Sequence, residues 1–508
     1  MKIERTRNAA RNVAYGGMLK IYQTIVPFLM RTVMIHFMGV KYLGLNSLFA
    51  SILQVLNLAE LGVGSAMVYS MYQPIIEDDR GTICGLMRLY RLYYRIIGGV
   101  IAVIGMILLP VMPRLVHGDV PEGMNLLILY LLNLGATVLS YWLFAYKNCL
   151  LQAHQRNDIA SKITLVVNTL QYGLQFMALV CTKNYYLYLI VMLLSQGASN
   201  LVTARVVTKM FPEYSPKGKL DKAVVTEISQ RIRDLFTSKI GAVIVNSADT
   251  IVISSFLGLT VLAVYQNYYF ILSSIISFVA ILFHGCMAGI GNSIIVESKE
   301  KNFNDLKKVT FMVSWIGGFC AACLLCLYQP FMELWVGKDL MLDFKAVVCL
   351  CVYYFIYEIN QLLNTYKDAA GIWRKDRFRP LVTAFTNLGM NVIMVRFWGI
   401  YGVLLSTVLS MLFVGMPWLL HNLFTSVFER SQLYSYGKQL FLYTTVAFGV
   451  CLATYIVCRP IHLSKWGTFL ARGFICCVIP NGLFYIVYRR RREWKESVYL
   501  LSKTIKGK

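Results

Sequence analysis

Apolar residues fall along this chain in runs of about 20 residues, separated by short stretches that hold most charges and turn residues. A run of this length spans the hydrocarbon core of a bilayer as a helix, so each run predicts one membrane-spanning segment. Fourteen segments can be delimited, near residues 13–37, 44–72, 92–112, 124–146, 163–181, 185–204, 240–257, 262–293, 309–331, 346–366, 380–398, 402–424, 440–458 and 467–488. The predicted fold is an all-α polytopic membrane protein with about 14 transmembrane helices.

Basic residues are distributed unevenly between the two sides of these helices. An even number of helices places both termini on one side, and the loops and ends of that side hold 37 of the 49 Lys and Arg residues. The opposite loops hold eight. Because basic loops resist translocation, the basic side is predicted to be cytoplasmic, with both termini there.

An internal repeat divides the predicted helices into two sets of six. Shifting the chain by 219 residues aligns 37–99 with 256–318 without a gap. The first copy then matches identical residues at Phe37, Gly39, Leu43, Ile52, Leu53, Ile75, Ile76, Gly98 and Gly99. Six helices per repeat give both halves the same orientation, which predicts two six-helix bundles related by pseudo-two-fold symmetry, with two C-terminal helices added.

The domain boundaries follow from this division. The predicted parts are an N-terminal six-helix bundle at 1–204, a cytoplasmic linker at 205–239, a C-terminal six-helix bundle at 240–424, two additional helices at 425–488 and a basic cytoplasmic tail at 489–508. The linker contains Pro212, Pro216 and Gly218, followed by an amphipathic stretch. Its apolar face, which includes Ile228 and Ile232, predicts an interfacial helix.

Composition excludes several other classes of protein. The 508 residues are 57% hydrophobic and 15% charged, which is too apolar for a soluble multidomain protein. The net charge of +24 does not indicate nucleic-acid binding, because the basic residues punctuate apolar runs instead of forming one soluble face. Most of the 13 cysteines lie inside apolar segments as small hydrophobic residues, including the C-x-x-C-x-x-C run Cys320, Cys323 and Cys326. No metal site is predicted.

The first predicted helix carries two cations, Lys20 and Arg31, inside its apolar run. They are eleven residues apart, about three helical turns, so both lie on one stripe of the helix. A cation at the bilayer centre costs roughly 2.5 to 3.5 kcal/mol, and such residues usually face a bundle interior or a watery cavity. The alternative is that each side chain snorkels to the nearer membrane surface. This helix alone leaves both interpretations open.

Three acids, Glu60, Asp249 and Glu358, lie near the middle of predicted helices, each within a polar stripe. Asn57 accompanies Glu60, and Asn246 accompanies Asp249. Several helices with a polar face favour a shared cavity that holds substrate, with Glu60, Asn57 and Asn246 in its wall; hydrogen bonds that merely join helices are the alternative. Asp249 or Glu358 could couple transport to H+ or Na+. No other cofactor is predicted.

Three stretches carry a family resemblance. FMGVKYLGLNSL at 37–48, LAELGVGSAMVYSMY at 58–72 and NSADTIVISSFLG at 246–258 resemble bacterial polysaccharide and O-antigen-unit flippases, the Wzx-like branch of the MATE-like MOP exporter superfamily. The resemblance implies a carrier in the bacterial cytoplasmic membrane. It would move an undecaprenyl-pyrophosphate-linked oligosaccharide by ion-gradient-driven alternating access, together with a polysaccharide polymerase and glycosyltransferases. Relatives that flip a peptidoglycan precursor bind its pyrophosphate with basic residues of the first helix, which makes Lys20 and Arg31 the corresponding candidates.

Two other functions compete with this interpretation. A cation-coupled multidrug exporter of the same superfamily would use acids of the first or seventh helix; the first helix here has cations, although Asp249 lies on the seventh. A polytopic glycan polymerase or glycosyltransferase is disfavoured, since no predicted outside loop reaches the size of a catalytic domain. The phosphate-loop motif of ATPases is absent from the sequence. The protein is therefore predicted not to be an enzyme.

Overall fold

The computed structural model describes residues 5–118, 120–121, 123–491 and 493–497, without the side chains at 5–10, 13, 238–239, 242, 246, 282, 284–286 and 288. This part of the chain is helical and contains no β-strand. The first nine α-helices are α1 (Arg5–Phe37), α2 (Val40–Leu56), α3 (Val63–Glu77), α4 (Arg80–Leu108), α5 (Leu126–Trp142), α6 (Asn148–Ala153), α7 (Asn157–Met177), α8 (Tyr185–Met210) and α9 (Lys222–Leu257). The others are α10 (Leu259–Val296), α11 (Lys299–Trp335), α12 (Phe344–Ala369), α13 (Trp373–Asp376), α14 (Arg379–Trp398), α15 (Ile400–Ser410), α16 (Met416–Ser426), α17 (Arg430–Cys458) and α18 (Lys465–Tyr488).

The prediction of a polytopic all-α membrane protein is confirmed. Within the described ranges, 12 helices are long and apolar enough to cross a membrane, or 13 if α5 and the bent segment after it form one span. The prediction of fourteen is close to this count. The segment predicted at 240–257 corresponds to the end of α9, where the described residues give a shorter apolar stretch, Val243–Leu257.

Contacts group the chain into two compact units. The first, Met1–Ala263, holds α1 to α9 and the first residues of α10. In this unit α1 packs against α7, α5 and α7 pack against α8, and α9 packs against α2. The second, Val264–Lys508, is organised around α11, which contacts α12, α17 and α18.

The 219-residue register predicted from sequence is confirmed by helix boundaries. Val40 begins α2 and Leu259 begins α10, while Arg80 begins α4 and Lys299 begins α11; each pair is 219 residues apart. The capping residues also correspond, since Asp79 and Ser298 each accept a hydrogen bond from the backbone N–H three residues later. Such caps satisfy donors that a helix leaves free at its N-terminus.

Glycine at the start of each repeat has a structural reason. Gly39 precedes α2 with φ 98°, and Gly258 precedes α10 with φ 89°. These values lie where a side chain is strained, so glycine suits both turns. The two copies therefore share backbone geometry as well as sequence.

The first copy differs from the second at one point. Leu259–Val296 is one continuous α-helix of 38 residues, whereas the corresponding 38-residue span Val40–Glu77 is interrupted by the 3₁₀ turn Asn57–Glu60. Gly62 follows the turn with φ 88° and precedes α3. Short 3₁₀ stretches within a helical span often mark functional positions. This break presents Asn57 and Glu60.

The amphipathic stretch predicted as an interfacial helix is the first part of α9. A single helix runs from Lys222 to Leu257, so the connection after α8 shortens to residues 211–221. Ile228 is buried, and a Cβ added to Gly62 would lie 3.2 Å from the Ile232 carbonyl and 2.6 Å from Leu235 Cβ. The apolar face of this part of α9 thus packs against the helix break at Gly62. It is covered by protein and not by membrane headgroups.

Candidate functional site

The carboxylate of Glu60 is held by tyrosines of two neighbouring helices. Tyr94 of α4 donates a 2.8 Å hydrogen bond to Oε1, and Tyr90, one turn earlier, donates a 2.6 Å bond to the Tyr94 hydroxyl. The Tyr141 hydroxyl of α5 lies 3.3 Å from Oε2 and 3.2 Å from Asn57 Oδ1, so its one proton is shared. These hydroxyl groups therefore fix the orientation of the Glu60 carboxylate.

A polar cavity of about 390 Å³ adjoins this carboxylate. Its polar wall is formed by Glu60, Ser65, Tyr90, Tyr94, Asn148, Gln152, Thr164, Ser199, Asn200 and Thr203. Gly64 keeps the wall open, since a Cβ there would lie 3.1 Å from the Tyr90 hydroxyl and 3.7 Å from Glu60 Oε1. The Asn148 Oδ1 atom is buried without a hydrogen-bond partner among the described residues. The cavity therefore offers oxygen acceptors to a cation or a polar group.

Glu358 lies in a contrasting environment in the second unit. It is 1% exposed on α12, and both carboxyl oxygens lack a hydrogen-bond partner in the described part of the chain. Gly317 of α11 is close, because a Cβ added to it would lie 3.9 Å from Glu358 Cβ. Cys320 and Tyr354 are near enough to interact electrostatically with Glu358. An ionised carboxylate enclosed in this way would be costly.

An apolar cavity of about 320 Å³ lies between α11, α12 and α17. Its wall includes Leu325, Phe355, Ile356 and Phe448. Phe355 and Ile356 are within one turn of Glu358 on the same helix. The second unit thus places an apolar cavity near a buried acid.

The two predicted cations are both on α1, which continues through Pro27 as a single helix. Lys20 is exposed, and its side chain forms no ion pair within the described ranges. Arg31 is partly buried near Tyr188 of α8. The structure therefore gives the two cations different surroundings.

The remaining predicted residues belong to α9. Asp249 is 9% exposed and lies in the first unit, whereas Glu358 belongs to the second. The neighbouring Ser247 hydroxyl donates a 3.4 Å hydrogen bond to Gln54 Oε1 of α2, which ties this part of α9 to α2. The side chain of Asn246 lies outside the described residues.

Sequence reasoning missed the three tyrosines around Glu60. The four-residue spacing of Tyr90 and Tyr94 places both on one face of α4, which was the available signal. It also missed a bidentate ion pair in which Arg379 Nε and Nη2 lie 2.7 and 2.8 Å from the oxygens of Asp376. Asn422 Nδ2 donates a 2.9 Å hydrogen bond to the same carboxylate, so this buried network joins α13, α14 and α16.

The cysteine run on α11 is divided by the fold. Cys326 meets Cys458 of α17 and Cys476 of α18, with all three sulfur atoms within 4.8 Å of one another. These thiols pack with Leu327, Tyr455 and other apolar side chains. Cys320 instead lies beside Tyr354. The run thus contributes to helix packing at two separate places.

The described helices and buried acids define a multi-pass membrane protein. No protein-family model matches this sequence, and no curated protein matches it. Solved structures do match its fold. A structure described as lipid II flippase MurJ in an inward closed conformation aligns with 94% of this chain and 99% of its own, at 13% identity and a TM-score of 0.65.

Two further structures are multidrug or MOP-superfamily transporters. An inward-facing multidrug resistance MATE family transporter aligns with 83% of this chain and 99% of its own, at 14% identity and a TM-score of 0.60. A Pyrococcus furiosus MOP transporter, described as having a binding pocket of reverse polarity, aligns with 84% and 96%, at 13% identity and a TM-score of 0.52. The fold is therefore MATE/MOP-like, and the similar structures are transporters.

Proposed function

We propose that this protein is a flippase that moves an undecaprenyl-pyrophosphate-linked oligosaccharide, a surface polysaccharide repeat unit, across the cytoplasmic membrane. It acts by alternating access as a carrier and not as an enzyme, with both termini in the cytoplasm. The sequence resemblance and the similarity in fold to a lipid II flippase support this proposal. Glycosyltransferases would act before it, and a polysaccharide polymerase would act after it.

The observation that carries the proposal is the apolar cavity of about 320 Å³ beside α17. A polyprenyl tail is a long hydrocarbon, and its transfer from lipid to an apolar protein surface requires no loss of polar hydration. The wall of this cavity is built mainly from aliphatic and aromatic side chains and includes Cys351 and Cys451. A site for a polar drug would instead need converging polar groups.

The charge of α1 supports an anionic cargo. Residues 5–37 contain no acid, while Lys20 and Arg31 provide cations within the span. A pyrophosphate would pair with these groups strongly in a poorly hydrated site. Glu60, Asn57 and Asn246 remain proposed contacts for the sugar part of the cargo.

Glu358 is the proposed proton carrier. Its oxygens have no described hydrogen-bond partner, whereas Na+ binding needs several oxygen ligands. A proton neutralises the carboxyl without further ligands, so H+ suits this site better. Asp249 is the second proposed coupling residue. The pH gradient would then drive the cycle by changing the charge of a buried group.

The deciding experiment measures which leaflet holds the lipid-linked oligosaccharide in cells that lack this protein. Spheroplasts would be treated with a membrane-impermeant glycan-reactive probe. We expect the oligosaccharide to be protected without the protein and exposed when the wild-type gene is restored. The Lys20→Ala/Arg31→Ala variant should insert normally yet leave it protected, while the Arg114→Gln variant serves as a matched loss of positive charge. Normal exposure in the deleted strain, with no redundant flippase, would refute the proposal.

A cation-coupled multidrug exporter is the second candidate function. The acid Glu60 beside a polar cavity of about 390 Å³ favours it, because such a site can hold an organic cation. Drug accumulation in the same deleted strain distinguishes the two functions. Raised retention of cationic dyes, restored to normal by wild type but not by Glu60→Gln, would favour the exporter.

A further inference from the structure

A groove at one end of α4 is lined by four cations and no acid. It encloses about 460 Å³ between α4, the connection 211–221 and the start of α9. The basic side chains are those of Arg88, Arg91, Arg95 and Lys219. None of them forms an ion pair within the described part of the chain. The groove is therefore a concentrated positive site, which we call the basic groove.

Close packing of the connection against α4 builds this groove. A Cβ at Gly85 would lie 2.9 Å from Leu220 Cδ2, so glycine permits the approach. Arg88 Nη1 donates a 2.7 Å hydrogen bond to the Gly218 carbonyl. These contacts fix the two walls relative to each other, which distinguishes the basic groove from a set of independent surface charges.

A stripe of exposed apolar residues continues from the basic groove along α4. Leu92, Ile96, Val103 and Ile107 are 52%, 53%, 61% and 65% exposed. Leu92 follows Arg88 by one helical turn and precedes Ile96 by another, so these residues lie on one face of α4. Arg95 is next to Ile96 in the sequence and borders the same face. A ligand that reaches both features needs an anionic head and an apolar chain.

Trp142 indicates where the membrane surface lies. Its indole is half exposed, and Nε1 donates a 3.2 Å hydrogen bond to the Arg95 carbonyl. Tryptophan is enriched at the boundary between headgroups and hydrocarbon. From Arg95 to Leu115 the helical span measures about 30 Å, the thickness of the hydrocarbon core. Arg95 therefore lies at one interface, and the rest of the basic groove lies among the headgroups.

We propose that the basic groove binds the phosphate of an anionic glycerophospholipid whose acyl chains lie along the apolar stripe. Arginine guanidinium groups match phosphate geometry, and three of them converge here. The part of the stripe that lies beyond the interface, from Arg95 to Ile107, is about 18 Å long, close to the depth of one leaflet. That length suits ordinary acyl chains, whereas an undecaprenyl chain is much longer. Binding would hold the connection 211–221 against α4.

The test uses the full-length protein, purified and delipidated in detergent, and titrated with phosphatidylglycerol while native mass spectrometry counts bound lipid. Each basic residue near an anionic surface contributes about fivefold in affinity. We therefore expect Arg91→Gln/Arg95→Gln to weaken binding about thirtyfold. Arg114→Gln removes an exposed cation from the 3₁₀ segment Leu109–Leu115, at the other end of the span that α4 begins. This variant should leave lipid binding unchanged.

Lys219→Gln provides a second variant, because it changes an exposed residue of the connection and does not alter a helix. This variant should weaken the binding of phosphatidylglycerol about fivefold. Equal losses in Arg114→Gln and the groove variants would overturn the proposal. Equally strong competition by inorganic phosphate would show an anion site without lipid specificity and overturn it too. Tighter binding of undecaprenyl phosphate, lost in the same variants, would replace the glycerophospholipid with the cargo lipid.

Discussion

The hydroxyl of Tyr94 on α4 donates a 2.8 Å hydrogen bond to Oε1 of Glu60, a residue of the turn that separates α2 from α3. Replacing Tyr94 with Phe removes a donor from a partly buried carboxylate. We expect a loss of about 1 to 3 kcal/mol in the free energy of unfolding, because the acceptor keeps its desolvation penalty. Thermal or denaturant unfolding of the purified wild-type and Tyr94→Phe proteins measures this loss of stability.

A double-mutant cycle with Glu60→Gln isolates this contact. Tyr94→Phe should cost less in the Glu60→Gln background, since the charge-assisted bond is already lost. Tyr72→Phe serves as a control for the loss of a phenol, as Tyr72 is an exposed residue of α3. Equal costs in both backgrounds would mean that Tyr94 acts through packing and not through Glu60.

Glu358 should behave in the opposite way. Its carboxyl has no described hydrogen-bond partner to lose, so Glu358→Gln is expected to leave the unfolding free energy unchanged or raise it. Transport in vesicles with an imposed pH gradient should nevertheless stop, because the side chain can no longer take up a proton. Glu333→Gln is the matched control, since Glu333 is a less buried acid in the same unit, near Lys338 and Lys465. Normal proton-driven transport by Glu358→Gln would exclude Glu358 as the proton carrier.

Replacing individual glycines with alanine should change the free energy of unfolding by different amounts, according to backbone angle and surrounding space. Gly39 has open space around it, so Gly39→Ala should cost only the strain of φ 98°, about 1 to 2 kcal/mol. Gly258→Ala should cost more, because its Cβ would also lie 2.9 Å from the His117 carbonyl. Gly99→Ala, inside α4 with nothing within 4 Å, should be neutral or slightly stabilising. Unfolding curves that reverse this order would contradict the geometry.

His154 predicts a pH-dependent stability of the connection 211–221. Burial against Phe211 and Tyr214 lowers the pKa of His154, which outweighs the hydrogen bond to the Leu150 carbonyl and the nearby Glu213. A lowered pKa means that the folded state favours neutral imidazole. Its contribution is present above the unfolded value of about 6.5 and is lost as the pH falls through the folded value. Limited proteolysis at 211–221 should therefore accelerate between about pH 7 and pH 5.

His154→Phe keeps the aromatic contact and removes the titration, so proteolysis should no longer depend on this proton. His462→Phe controls for the loss of an exposed histidine. The same pH dependence in His154→Phe would assign it to another group.

Membrane orientation can be tested with two natural cysteines. Cys181 is exposed at the end of the π-helical turn after α7, and Cys84 lies on α4 with Sγ 3.4 Å from the Ser215 backbone nitrogen. Two variants would be made, each retaining either Cys181 or Cys84 as its single cysteine. In intact cells, an impermeant maleimide should label the variant that retains Cys181. Cys84 should react only after permeabilisation. The reverse pattern would place the termini outside.

Helix positions were largely predictable because an apolar run of membrane length has few alternative structures. The repeat was predictable because glycine recurs where the backbone requires it, at Gly39 and Gly258. The break at Asn57–Glu60 was not, since the same register in the second copy is a continuous helix. Local sequence could not decide between these outcomes, which depend on what packs around Gly62.

The candidate site was predictable in part for similar reasons. A buried acid such as Glu358 is conspicuous in an apolar run, so its position could be inferred. Its lack of partners could not, because partners are set by neighbouring helices. Tyrosines such as Tyr94 and Tyr141 are common in membrane segments, and nothing in their local sequence connects them with Glu60. The continuity of α9 was also missed, because its charged first half resembles a surface segment.

The shared register has a consequence for protein design. The position equivalent to Glu60 in the second copy is Val279, which lies inside the continuous helix α10. The two copies therefore share a helical register, whereas the glutamate bonded to tyrosine belongs to the first copy alone. A protein that carried the first copy of the repeat twice would keep the glycine turns and the helix starts that the two copies share. It would carry a second glutamate at the position of Val279 and a second helix break before it, so the two copies would no longer differ at this point.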